Sequence, residues 1–273
     1  MFDLYKHPEP EIRLYNSIGV YLKGELMSAQ AIFIFDREFN SLLPEGTAEQ
    51  GLVYQFNGQP SIKDVIEALG VPHTEIRAML VNGQWVDFGY QLQPDDRVMV
   101  HGYLHRSVTD PELTPDPPGA AFILDVHLGK LARLLRLLGF DSLYSNQFSE
   151  REIMDIARAE HRIVLTRSAG LLKHKSVTWG CLLRSEQPEE QVKEVIRRYQ
   201  LARQITPFKR CMVCNGGLHK VNKEAVTEQL EPKTKAYFND FWQCEHCKRI
   251  YWQGSHFERM AAFVNELRPG AAE

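Results

Sequence analysis

The chain has 273 residues and a formal net charge of -3 at pH 7. Hydrophobic residues make up 44% and charged residues 25%, close to the averages of soluble globular proteins, so wholesale disorder and fibrous repeats are excluded. The length favours two or three small domains over one large core. Because the net charge is slightly negative, any contact with nucleic acid requires a local basic surface.

The sequence predicts a cytoplasmic protein that does not enter a membrane. No apolar run approaches the roughly 20 residues that span a bilayer, and the start, MFDLYKHPEPEIRLY, lacks the pattern of a secretory signal. Four of the five cysteines form two C-x-x-C pairs, which in a reducing compartment favours a metal over disulfides. The fifth, Cys181, lies in the apolar run SVTWGCLLR, where a buried structural thiol is favoured over a reactive one.

Residues 30–104 are predicted to form a β-grasp module. Residues 1–29 show no core pattern, which fits either a flexible extension or a translation start at Met27. Strands are predicted at 31–36, 52–56, 77–82, 84–88 and 97–101, with one helix at 61–69. Such a sheet with one helix across it resembles a ubiquitin-like or sulphur-carrier-like module. Those carriers end in a free Gly-Gly tail, whereas this chain continues, so we expect no carrier chemistry and leave open a role in binding a protein partner.

A Pro- and Asp-rich stretch at 105–119 predicts a linker, and residues 120–206 then alternate strands and helices. This order predicts a parallel sheet with helices on its faces, whose working crevice lies at the carboxyl ends of the strands. Asp125, residues 146–152 and Thr166-Arg167-Ser168 follow the first three strands. These positions are therefore the candidate site of the α/β domain.

Two cysteine pairs predict a zinc ribbon at 207–262, followed by a tail at 263–273. Cys211 and Cys214 are separated by 29 residues from Cys244 and Cys247. Two such turns supply four thiolates in the tetrahedral set that zinc prefers, and a closed four-cysteine site leaves no position for water, so the zinc is expected to be structural. His246 is expected to be an exposed neighbour rather than a further ligand.

Aromatic and basic residues surround the cysteines. Trp242 and Trp252 could form the small core of a ribbon or stack on bases, and the sequence favours the core. The cations could form an RNA surface or a solvated face: Lys209, Arg210, Lys248 and Arg249.

Three motifs occur in order: FILDVHLGKLARLLRLLGFDSLY, IARAEHRIVLTR, and PFKRCMVCNGGL followed by CEHCKRIYWQGSHFERM. With them the chain resembles the Mut-seven C-terminal ribonuclease family over residues 121–262. The segment containing SIKDVIEALGVPHTEIRAMLVNG resembles the ubiquitin-like module that precedes that domain in bacterial proteins. The resemblance implies a PIN-like fold in which carboxylates at the strand ends hold magnesium or manganese for cutting RNA.

The resemblance also implies which side chains form the catalytic site. Asp125 matches the first acid of the family, and Glu150 lies where an aspartate usually opens the second helix. Ser168 stands where the family reads Thr-Arg-Asp, so the third acid is absent. Asp141 and Glu160 are weaker candidates to replace it.

The two acids that match the family positions, Asp125 and Glu150, also have a structural interpretation. Asp125 could cap a helix that begins at Val126, and Glu150 lies in the capping-box pattern Ser149-Glu150-Arg151-Glu152.

A cationic stripe is predicted on the helix after Asp125. Lys130, Arg133 and Arg136 are spaced by three residues, and Arg167 lies beside the third strand. The stripe could contact the RNA backbone or be a solvated face.

The sequence therefore predicts an RNA-directed protein of PIN-like fold, a metal-dependent ribonuclease weakened by Ser168. One alternative is a non-catalytic RNA- or ribosome-associated binding protein, with the ribosome or tRNA as its partner. A second is a scaffold for protein interactions centred on the β-grasp module.

Overall fold

A computed structural model describes residues 29–44, 51–104, 113, 116–255 and 257–268. The chain divides into two compact units, with the division after Pro115. This division falls in the predicted linker, most of which lies outside the described residues. The predicted extension 1–29 also lies outside them, except for Ala29, which opens the first strand. In the described part of the chain, no helix has the length and apolar character needed to cross a membrane.

Within its described residues, the first unit is a five-stranded sheet with one α-helix. Its elements are β1 (Ala29–Phe35), β2 (Leu52–Phe56), α1 (Ile62–Ala68), β3 (Ala78–Val81), β4 (Gln84–Trp85) and β5 (Arg97–His101). The strand order is β2-β1-β5-β3-β4, with β1 and β5 parallel at the centre. This is the predicted β-grasp arrangement, although β4 ends at Trp85 rather than at residue 88.

Helix α1 lies against the sheet because its apolar residues are on one side. Ile62, Val65 and Ile66 are buried in the same core as Phe33 of β1. The Ser61 hydroxyl caps the helix by accepting a 3.1 Å hydrogen bond from the Asp64 N–H.

The chain beyond β5 is held to the sheet. The Gly102 N–H donates to Asp36 Oδ2 at 3.0 Å, and the Leu104 N–H donates to Glu38 Oε1 at 2.9 Å. A Cβ on Gly102 would meet the Glu38 carboxylate, so a larger residue here would displace that side chain. The last strand therefore does not end in the free tail of a carrier protein.

The second unit begins with an α/β layer. Its elements are β6 (Ala121–Leu124), α2 (Gly129–Leu137), β7 (Asp141–Tyr144), α3 (Glu150–Ala159), β8 (Ile163–Thr166), α4 (Ala169–Leu172), β9 (Gly180–Leu182) and α5 (Pro188–Arg198). The four strands are parallel in the order β7-β6-β8-β9. The short helix α4 is not predicted by the sequence pattern.

The ribbon follows in the same unit. Its elements are β10 (Leu218–Val221), α6 (Lys223–Val226), α7 (Pro232–Tyr237), β11 (Phe241–Cys244), β12 (Ile250–Trp252) and α8 (Phe257–Glu266). The three strands form an antiparallel sheet in the order β10-β11-β12. Helix α8 crosses the expected boundary at 262/263, and its Val264 is buried in the same core as Phe122 and Leu131 of the α/β layer.

Helix α2 begins at Gly129 rather than at Val126. The four residues after β6 form a turn in which the Leu128 N–H donates to the Asp125 carbonyl at 3.0 Å. Asp125 is therefore not the N-cap of α2, and its carboxylate is available at the end of the strand.

Candidate functional site

Asp125 lies at the carboxyl edge of the parallel sheet, immediately after β6. Since β7 pairs with one side of β6 and β8 with the other, the chain reverses its strand order here. Ligands of such sheets bind at this switch point, between the carboxyl ends of the diverging strands. The β6/β8 edge is therefore the place for chemistry in this fold.

Two hydrogen bonds fix the half-buried carboxylate of Asp125. Its Oδ1 accepts from the Val126 N–H at 2.6 Å, and its Oδ2 accepts from the Thr166 hydroxyl at 2.7 Å. The Thr166 oxygen in turn accepts from the Ser168 N–H at 2.9 Å. Asp125 and Ser168, both predicted site residues, are thus both hydrogen-bonded to the buried hydroxyl of Thr166.

Glu150 has an exposed position at the first residue of α3. The predicted capping box is present: Ser149 Oγ accepts from the Glu152 N–H at 3.3 Å, and Glu152 Oε2 accepts from the Ser149 N–H at 2.8 Å. Glu152, not Glu150, therefore completes the cap. Glu150 adds negative charge to the first turn, where it complements the helix dipole.

The hypothesis that Asp141 or Glu160 replaces the missing acid is wrong. Asp141 opens β7 and pairs with Ala121, so it lies at the amino edge, about 13 Å along the strands from Asp125. Glu160 follows α3 and binds Arg162 at 2.6 Å. Both acids therefore lie at the edge opposite the candidate site.

Asp141 instead anchors the ribbon to the α/β layer. It accepts hydrogen bonds from Arg162 Nη1 at 2.8 Å and from the Asn215 amide at 2.8 Å, with Arg210 Nη2 at 3.4 Å. Burial raises the pKa of Asp141, but the bonds to Arg162 and Asn215 outweigh burial and lower it. The Asn215 side-chain oxygen also accepts from the Ser142 N–H at 3.1 Å.

The expectation that Arg136 lies on an exposed cationic stripe is wrong. Arg136 is only 4% exposed. Its Nε donates to the Ser142 carbonyl at 2.9 Å, and its Nη1 donates to the Met212 and Val213 carbonyls at 3.3 and 2.8 Å. Arg136 therefore joins the first cysteine turn to the sheet and presents no surface to RNA.

The other predicted cations on this side of the sheet are exposed. Lys130 and Arg133 lie on α2, and Lys130 is in its first turn. Arg167 Nη2 donates to Glu186 Oε1 at 2.8 Å. The stripe is thus reduced to two residues of α2.

The four predicted cysteines form one cluster. The Sγ atoms of Cys211, Cys214, Cys244 and Cys247 all lie within 4.8 Å of one another. This is the spacing and donor set of a tetrahedral zinc site. Within the described residues, no acids form a comparable group of three.

The two cysteine turns repeat one backbone geometry. Asn215 follows the first pair with φ 71° and donates its N–H to the Cys211 carbonyl at 2.9 Å. Lys248 follows the second pair with φ 60° and donates its N–H to the Cys244 carbonyl at 3.2 Å. Each turn thus aims two thiols at one point.

Polar groups around the cluster favour thiolate at Cys211. Burial raises its pKa, but hydrogen bonds from the Tyr251 hydroxyl, 3.0 Å away, and from the Val213 and Cys214 N–H groups outweigh burial and lower it to about 6. Burial raises the pKa of Cys244 to about 12. A coordinated Zn²⁺ deprotonates its thiols outright, including one with a raised pKa such as Cys244. The four sulfur donors therefore fit zinc.

The cations predicted around the ribbon differ in their availability. Lys209 and Arg249 are exposed, and Lys248 is exposed with its ammonium donating to the Glu245 carbonyl at 2.7 Å. Arg210 is half-buried and donates to the Asn215 carbonyl at 3.0 Å, besides its contact with Asp141. His246 is exposed, as expected.

The sequence placed Thr166 in the candidate site but did not reveal that its hydroxyl holds Asp125. It missed Asn215 and the Tyr251 hydroxyl as supports of the cysteine cluster. Asn215 could have been noticed because asparagine tolerates the left-handed conformation that a turn requires.

A parallel α/β layer with an acid at its switch point, joined to a four-cysteine ribbon, defines a PIN-like domain with a zinc-ribbon extension. The chain belongs to the Mut7-C RNAse domain family, whose model matches residues 120–264. The Mut7-C ubiquitin family model matches residues 28–108, the β-grasp module. No curated protein and no solved structure matched the chain.

Proposed function

We propose that this chain is an RNA-directed protein and a metal-dependent ribonuclease, in which loss of the third acid at Ser168 weakens cleavage. The observation that carries this proposal is the position of the Asp125 carboxylate at the switch point, held by Thr166 and the Val126 N–H. The family match to an RNAse domain supports RNA as the substrate.

The cations near Asp125 support contact with the RNA backbone. Lys130 lies in the first turn of α2, where a positive side chain opposes the helix dipole rather than stabilising the helix. Arg133 follows one turn later on the same exposed face. Together they offer positive charge to a phosphodiester at the strand ends.

The donor groups at this edge do not fit a tightly held magnesium or manganese ion. Such ions favour several oxygen ligands with negative charge, and the β6/β8 crevice offers the Asp125 carboxylate with the neutral hydroxyl of Ser168, since the Thr166 hydroxyl is buried and already hydrogen-bonded. Glu150 remains a proposed further ligand. The expected result is low metal affinity and slow hydrolysis.

The absence of the third acid at Ser168 also favours a second function. A chain that kept the fold, the ribbon and the cations but lost the acid could bind RNA, such as tRNA, or associate with the ribosome, without cutting RNA. For either function we propose a cytoplasmic location, since four zinc-binding thiols need reducing conditions.

The β-grasp module is proposed to bind a protein partner. Its open sheet face carries exposed apolar side chains, including Ile32 at 39% and Met99 at 39%. An Ile32→Glu variant that retains the partners of the native chain in a pull-down would contradict this.

Cleavage of a labelled RNA, compared between the native chain and Asp125→Asn, tests the main proposal. We expect slow manganese-dependent cleavage that Asp125→Asn abolishes while RNA binding persists. Equal cleavage by the two proteins would place the activity elsewhere, and binding without cleavage in both would favour the second function.

A further inference from the structure

A half-buried apolar cavity of about 220 Å³ lies beside the ribbon sheet in the second unit. Three residues on one face of that sheet contribute to its wall. Leu218, Trp242 and Tyr251 line the cavity and lie on the same face of the sheet. Leu218 shares a face with Lys220, two residues further along β10, and Lys220 pairs with Trp242, which pairs in turn with Tyr251. The indole of Trp242 lies at the middle strand of this wall.

The remaining lining includes Phe208, Phe257 and Met260. The rings of Phe208 and Phe257 lie 4.9 Å apart between centroids. Phe208 has φ 60°, a left-handed conformation that costs a bulky residue free energy, and its N–H donates to the Leu137 carbonyl at 3.0 Å. The fold thus holds this ring in place at the expense of local strain.

This cavity is not the core of the ribbon. The core aromatic is Phe241, which is 0% exposed and lies on the opposite sheet face, whereas Trp252, its strand partner, is exposed and also lines the cavity. Trp242, Tyr251 and Phe208 are only half-buried, so they leave apolar surface in contact with water. A flat ligand that covers this surface gains free energy from its burial.

Two polar side chains line the same cavity and are exposed. Lys209 supplies a positive charge, and the Gln253 amide supplies both a donor and an acceptor. Arg210 also lines the cavity, but its guanidinium is bonded to Asp141 and the Asn215 carbonyl. An aromatic wall with one available cation and one amide matches a base attached to a phosphate.

We propose that this cavity is a subsite for one unstacked base of single-stranded RNA, with Trp242 as the stacking platform and Lys209 at the adjacent phosphate. Drug-sized ligands fill cavities of about 300–1,000 Å³, so this smaller volume suits a single flat ring system. The inference rests on RNA as the ligand proposed above, and it does not depend on cleavage.

The test compares two fluorescent oligomers of equal length and charge, oligouridine and the same backbone without bases. Binding is measured on the full zinc-loaded chain without added magnesium or manganese. We expect the native chain to bind oligouridine about 10-fold more tightly than the abasic oligomer, the effect of about one stacked base. Equal affinities for the two oligomers, or no binding of either, would overturn the proposal.

Variants locate the effect. Trp242→Ala should weaken oligouridine binding about 10-fold and make the two affinities equal, whereas Trp242→Phe should keep the preference. Tyr237→Ala is the matched control, since Tyr237 is a 78% exposed aromatic residue that does not line the cavity. A preference for oligouridine that survives in zinc-loaded Trp242→Ala would overturn the assignment.

A second variant covers the case in which Trp242→Ala loses its zinc. Lys209→Gln should weaken both oligomers alike, because it removes a phosphate contact and no stacking surface; unchanged affinities would remove Lys209 from the subsite. Cleavage of the same oligouridine is scored separately. Preference for oligouridine without cleavage would support the subsite and contradict the proposed nuclease. Cleavage without this preference would support the nuclease and contradict the subsite.

Discussion

The Thr166 hydroxyl donates a 2.7 Å hydrogen bond to Asp125 Oδ2, across the gap between the carboxyl ends of two neighbouring strands. Thr166 is fully buried, so this bond holds the carboxylate in one orientation at the switch point. Its oxygen is itself fixed by the Ser168 N–H. The backbone of residue 168 is thus already linked to Asp125 through the Thr166 hydroxyl. An acidic side chain introduced at residue 168 would extend from this linked backbone.

Zinc is expected at about one equivalent per chain, and Cys244→Ser should lose it. Because Val264 of α8 is buried in the α/β core, loss of zinc should destabilise the whole second unit while the β-grasp module stays folded. Metal analysis together with hydrogen exchange on peptides of each unit checks this. Cys181→Ala, which removes a buried thiol outside the cluster, should keep its zinc. A native chain clearly below one equivalent, with no loss during purification, would contradict the zinc site.

Asp141→Asn should lower the free energy of unfolding by about 1–2 kcal/mol near neutral pH, because Arg162 loses a charged partner. The pKa of Asp141 is lowered in the folded chain, so its stabilising effect is present above its unfolded pKa of about 3.9 and is lost as pH falls through the folded value. The stability difference between native and variant should therefore shrink below about pH 4.

Denaturant unfolding at several pH values measures that difference, and loss of zinc in acid affects both proteins alike. Asp155→Asn is the matched control, since its carboxylate is 74% exposed and pairs with an 89% exposed arginine. It should change stability by only a few tenths of a kcal/mol. A difference for Asp141→Asn that stayed constant into acid would show that its charge does not carry the effect.

Lys130→Glu combined with Arg133→Glu should weaken RNA binding in a way that does not depend on sequence. Loss of two phosphate contacts should make the slope of log affinity against log salt shallower by about 1.4 for single strands. The control is Arg197→Glu with Arg203→Glu, which makes the same change in net charge. Both positions are exposed; Arg197 lies in the last turn of α5, and Arg203 follows that helix. If both double variants bind RNA like the native chain throughout a salt series, the α2 cations form a solvated face.

The β-grasp module should carry no covalent conjugate or thiocarboxylate. The chain after β5 is bonded to Asp36 and Glu38 and continues into the next segment, so no carboxylate is released for activation. Intact-mass measurement of the chain purified from its native host should give the unmodified mass. An adduct mapped to residues 105–119 after proteolytic processing would refute this.

Local patterns in the sequence were sufficient for the fold class and the cysteine cluster. The strand pattern and the C-x-x-C spacing each act within a few residues, so they can be recognised without tertiary contacts. The same reasoning misplaced Arg136, because a three-residue spacing describes one helix face but does not reveal which groups that face meets. Two of its three carbonyl partners lie 76 and 77 residues away.

Distance along the chain also explains the errors at the candidate site. Asp141 and Asp125 both belong to strand ends, but only the register of the parallel strands shows that these are opposite edges. The link from Thr166 to Asp125 spans 41 residues and depends on β6 and β8 being neighbours. The sequence could predict the acids but not their support.

The most direct test of weakened catalysis is the rate of RNA cleavage by Ser168→Asp at a fixed manganese concentration. Aspartate adds a carboxylate beside Asp125, so metal affinity and cleavage should both rise, with cleavage increasing about 10-fold or more, equivalent to about 1.4 kcal/mol of barrier. Ser168→Asn, which has the same size without the charge, should remain as slow as the native chain, and adding Asp125→Asn to Ser168→Asp should abolish the gain. Cleavage by Ser168→Asp that does not exceed that of Ser168→Asn would contradict the claim that the missing acid limits this protein.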